Sequence, residues 1–66
     1  MRVLNNRPQR LTTWAVDTMT RLAQDQDREG VCRVYGWAVR RMTGSDRHLE
    51  RLHRATAFVM FIMQAN

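Results

Sequence analysis

The chain has 66 residues, a net charge of +5, one cysteine and 11 basic residues, every one of them arginine. A chain this short buries only about 60% of its unfolded surface, so it makes one small domain at most. Cys32 alone excludes an internal disulfide, and no Cys/His cluster offers a tetrahedral metal site. Oligomerisation is then the expected source of extra stability.

Taken in order, Met1 to Asn6 form a short N-terminal arm whose Val3-Leu4 pair suits an extended segment or a neighbour's surface. These residues lack the apolar core of a signal peptide. Asn6-Arg7-Pro8-Gln9 reads as a helix start, because Asn caps, Pro is tolerated in the first turn and Gln9 completes a capping box. Leu11, Ala15, Thr18, Met19 and Leu22 then recur at helical spacing. Val16 and Ala23 widen that stripe on one edge and Trp14 on the other.

The break falls in Gln24-Asp25-Gln26-Asp27-Arg28-Glu29-Gly30. Were Gly30 the left-handed residue closing the first helix, three acids would face the negative end of its dipole. The same acids suit a helix beginning. The turn is therefore expected near Asp25 to Asp27, with Asp27 capping the second helix.

That helix carries the cleanest pattern: Val31, Val34, Tyr35, Ala38, Val39 and Met42. Its outer face holds Arg33, Trp37, Arg40 and Arg41. Gly36 costs about 1 kcal/mol relative to alanine, which suggests close approach of another backbone. Gly44 is the expected turn residue after it, and Ser45 or Asp46 the cap of the third helix.

In the third helix Leu49, Leu52, Thr56, Val59, Met60 and Met63 share one arc, while Phe58, Phe61 and Ile62 continue the side on which Arg47, Arg51 and Arg54 stand. A helix apolar on two sides needs cover on both. The rest of the chain supplies one cover, and a second copy is the expected other. The alternative places the third helix centrally, between the first two. The apolar run from Ala55 to Met63 is about half of what a membrane span requires, and a soluble cytoplasmic protein is expected.

The fold expected is all-α: a single domain over 1–66 with three short antiparallel helices at about 7–25, 28–43 and 46–64, completed by homodimerisation. Trp37 among Arg33, Arg40 and Arg41 is the expected partner-binding site, since Trp and Arg dominate binding hot spots. Phe58, Phe61 and Ile62 are the expected dimer interface. No catalytic residues, metal or cofactor are expected: His48 and His53 lie about 140° apart round a helix, and Cys32 reads as a small semi-buried residue at a stripe's edge. The function expected is a non-enzymatic adaptor or inhibitor of another protein, encoded by a phage or mobile element and acting on a host protein. The alternative is a small dimeric DNA-binding regulator that presents Arg7, Arg10, Arg40, Arg41, Arg47, Arg51 and Arg54 to phosphate. Against it, helix-turn-helix register puts Arg40, Glu50 and His53 where small or apolar residues belong. A ribbon-helix-helix reading through Val3-Leu4 lacks the usual cap after Gly30. Acids at Asp17, Asp25, Asp27, Glu29, Asp46 and Glu50 also dilute any basic stripe.

Overall fold

Three helices follow one another in a computed structural model that describes residues 7–65 and the side chains from Pro8 to Ala65: α1 (Arg7–Gln24), α2 (Arg28–Arg41) and α3 (Asp46–Ala65). The expected Asn6 cap and the Val3-Leu4 arm lie outside the described residues. The remaining boundaries fall within a residue of those expected, except that α2 ends at Arg41 instead of 43; local chemistry sets them. At the end of α1, Gln26 N–H donates to the Ala23 carbonyl and Asp27 N–H to that of Leu22, both at 2.9 Å. This is the paired closure of a helix whose following residue is left-handed, and Gln26 takes that role at φ 60°. Asp27 then caps α2, its carboxylate accepting from Gly30 N–H at 2.9 Å. Thus one residue ends one helix and starts the next.

Gly30 is buried in the first turn of α2. A Cβ there would stand 2.5 Å from the Asp27 carboxylate, so any larger residue would have to displace the cap from its present position. After α2, Gly44 has φ 94°, the left-handed geometry expected of it. Ser45 sits at the head of α3, its carbonyl accepting from Leu49 N–H at 3.0 Å. Its hydroxyl pairs with the His48 ring at 2.7 Å.

Helix α1 packs against both other helices. Thr12 of α1 reaches Met42 just beyond α2, and Trp14 meets Trp37; residues early in α1 thus face residues late in α2, and the two run antiparallel. Thr56 reaches Met19, and Val59 shares a hollow with Ala23. That constant offset means α3 runs the same way as α1 and antiparallel to α2. The core is Ala15, Met19, Ala23, Val31, Ala38, Met42, Leu52, Val59 and Met63.

Three expectations are corrected, and the alternative with α3 in the middle is not the arrangement adopted. The central helix is α1, because the small residues Thr12, Ala15 and Ala23 around Met19 let both neighbours approach. The α1 stripe is accordingly centred on Thr12, Ala15, Met19 and Ala23, with Leu11, Thr18 and Leu22 half-buried at its margin. Gly36 is not a close-approach site: a Cβ there would meet nothing within 4 Å. Cys32 is exposed, not semi-buried.

Thr12 was not expected in the core, yet it is fully buried. Its hydroxyl satisfies itself locally by donating to the Pro8 carbonyl at 2.7 Å, which removes the cost of burying an unpaired hydroxyl. No helix among the described residues is long and apolar enough to cross a membrane.

Candidate functional site

Two surfaces stand out, on opposite flanks of α1. The first is built from α2 outward. Arg33, Trp37 and Arg41 are spaced by four residues, so one helical face presents them in a row. The Arg41 guanidinium carbon lies 4.4 Å from the centroid of the Trp37 ring, a cation–π stack worth about 0.5–1 kcal/mol at an exposed site.

The other side of Trp37 meets α1. The Trp14 and Trp37 rings lie 5.4 Å apart at 65°, edge to face, an arrangement worth about 0.5–1.5 kcal/mol beyond area burial. Both remain in contact with solvent, Trp14 at 48% and Trp37 at 37% exposure. Arg33 and Val34 complete a shallow hollow with the two indoles. Arg40 borders a second hollow with Trp37 and Arg41. Beyond Trp14 the strip continues along α1 through Arg10, Thr13 and Asp17.

All four residues expected at the partner site are thus brought together, and Trp14 joins them. Sequence reading had placed Trp14 at the margin of the α1 stripe. The missed signal is that Trp14 and Trp37 are nearly equidistant from the Asp25-Gln26 turn, and antiparallel helices joined by a tight turn pair such residues. Among the described residues the one ion pair is Arg54 with Glu50, at 3.3 Å and well exposed. Arg33, Arg40 and Arg41 therefore carry no carboxylate partner there.

The second surface is on α3. Phe58, Phe61 and Ile62 are 62%, 66% and 41% exposed. Phe58 and Ile62 join Thr20, Ala23, Gln24 and Val59 around a hollow of about 160 Å³ between α1 and α3. Phe61 stands clear of it. In the same helix Arg47, Glu50, Arg51 and Arg54 line the outer surface nearer the N-terminus.

The two histidines are separately engaged. His53 Nδ1 lies 2.8 Å from the Tyr35 hydroxyl, and His48 Nδ1 lies 2.7 Å from the Ser45 hydroxyl. Among the described residues no three His, Cys, Asp or Glu side chains are gathered in a way that would hold a metal ion. No protein-family model matches the chain, and no curated protein or solved structure is similar to it.

Proposed function

We propose that this chain is a non-enzymatic binding module, an adaptor or inhibitor that works as a homodimer and grips an acidic patch on another protein. Trp14, Arg33, Trp37, Arg40 and Arg41 form the grip. The observation that supports it best is the stack of Arg41 on Trp37, itself held edge-on by Trp14. A guanidinium fixed over an indole offers carboxylate a preset bidentate fork, at less ordering cost than a free arginine would incur. The indoles supply desolvated apolar area beside it, the composition of a binding hot spot. Homodimerisation is the use proposed for the uncovered Phe58–Phe61–Ile62 strip.

The test is capture of bound macromolecules on the immobilised protein, with nuclease, beside Trp37→Ala, Arg41→Ala and Arg41→Lys. The expected result is a nuclease-resistant protein ligand retained by the parent. Trp37→Ala should lower its affinity by at least about 2 kcal/mol, and Arg41→Lys should lose nearly as much as Arg41→Ala, because lysine has neither the fork nor the planar stack. A nuclease-sensitive ligand, uniform small losses on Arg→Lys exchange and a steep salt slope would instead assign the arginines to nucleic acid.

A further inference from the structure

Glycine in a helix interior is destabilising relative to alanine, and nothing inside the molecule calls for it at Gly36, where a Cβ would meet nothing within 4 Å. The position is nevertheless half-buried, while Cys32, Arg33, Trp37 and Arg40 around it are exposed. Gly36 is thus the floor of a notch in α2. Arg33 and Cys32 stand one turn before it, Arg40 one turn after, and Trp37 beside it. Resting on the acidic-partner reading above, we propose that this notch takes the main chain of an extended acidic segment of the partner protein. Successive carboxylates of that segment meet Arg33 on one side and Arg40 on the other, and the apolar side chain that follows lies against Trp37.

Width selects the conformation. Arg33 and Arg40 are seven residues apart on one face, about 10.5 Å along the axis. A van der Waals contact with each arginine stem takes about 4 Å. The remainder fits one bare backbone and excludes a helix, whose diameter is about 10–12 Å.

Charge selects the side chains. Among the described residues Arg33, Arg40 and Arg41 have no carboxylate partner, the one ion pair being Arg54 with Glu50. Successive side chains of an extended segment point opposite ways, so one carboxylate turns to Arg33 and the next to Arg40. Both contacts are charge-assisted hydrogen bonds. The third side chain returns to the Arg33 side about 6.5–7 Å further along. There Trp14, Arg33, Val34 and Trp37 line a hollow that suits an aliphatic group.

The probe is a capped peptide, Gly-Glu-Glu-Leu-Gly, titrated into isotope-labelled protein and followed by NMR. Saturable shifts are expected at Gly36 and at the indole N–H groups of Trp14 and Trp37. Exchanging both glutamates for glutamine should weaken binding at least about 10-fold, the scale of hydrogen bonds to charged groups. Gly36→Ala should raise the melting temperature and yet weaken the peptide at least about 5-fold, a small overpacking effect. Gly36→Leu fills the notch and should abolish binding with helix content retained. Unchanged affinity in both Gly36 variants, with Trp37→Ala still losing the peptide, would overturn the notch and leave the Trp–Arg grip standing. Equal binding of the glutamine peptide would overturn both, since neither would then rest on carboxylate. No saturable shift up to millimolar peptide would also overturn the notch, and capture of a nuclease-resistant ligand that Trp37→Ala loses would still support the grip.

Discussion

At the scale of single residues, two positions carry avoidable cost. Gly36 sits in the middle of α2 with open space where a side chain would be. Gly36→Ala should stabilise the protein by about 1 kcal/mol, a rise of roughly 4–8 °C in melting temperature for a domain of this size. Unchanged or lower stability would mean that something occupies the space beside Gly36. Because Gly36 lies between Arg33 and Arg40 at helical spacing, partner affinity of the same variant tells whether the bare surface serves the partner. Gln26 holds a left-handed conformation without being glycine, at a cost of about 1–2 kcal/mol. Gln26→Gly returns part of that as chain entropy, so a net gain of about 0.5–1 kcal/mol is expected in denaturant unfolding, with the slope unchanged. The opposite exchange, Gly44→Ala at φ 94°, should cost about as much as Gln26 now does.

At the scale of helices, the α1–α2 hairpin is held by the closure at Gln26 and the cap at Asp27. Asp27→Ala removes the acceptor for Gly30 N–H and should cost about 1 kcal/mol, read by thermal unfolding. A Gly30→Ala, Asp27→Ala pair tests how tightly the two are bound together. With the carboxylate gone, the alanine Cβ has no clash, so the second substitution should recover much of the first loss through helix propensity. Simple additivity of the two losses would mean that the 2.5 Å approach is not what requires glycine there. The same hairpin sets Trp14 against Trp37, so the register of the turn controls the geometry of the proposed grip. Trp37→Phe keeps an aromatic edge contact with Trp14 and separates the two roles of the ring. It should preserve most of the stability while weakening the Arg41 stack, since indole is the best of the aromatic faces for a cation.

For the whole molecule, the core is thin: among the described residues nine apolar ones are buried, three of them alanine. Total stability for a chain of this length is on the order of 3–10 kcal/mol. Leu52 is fully buried, and Leu52→Ala should cost about 2–5 kcal/mol, enough to unfold much of the population at room temperature by circular dichroism. Phe58 and Phe61 contrast with it. Within one chain they are exposed, so an aspartate at either place leaves the helical bundle intact and changes only what that face meets. Equal unfolding by Leu52→Ala and Phe61→Asp would mean that Phe61 belongs to the core of the folded unit.

The sequence by itself determined, to within two residues, where the described helices begin and end, and which residues share a face of each. Caps and turn closures are settled within four or five residues, and the 3.6-residue period orders side chains around their own axis. That is why Asp27 and Gly44 were legible, and why Arg33, Trp37, Arg40 and Arg41 were placed together on one face, with Phe58, Phe61 and Ile62 on another. Only the tertiary structure decided which helix lies in the middle. A period says nothing about which neighbour covers a stripe, and three amphipathic helices joined by tight turns admit more than one arrangement. Placing α1 centrally buried Thr12 rather than Leu11 at the middle of its stripe, left Gly36 and Cys32 facing outward, and left the Phe-rich side of α3 bare. The contact of Trp14 with Trp37 stands apart from these, because equal distance from a tight turn already pairs the two residues once their helices run antiparallel.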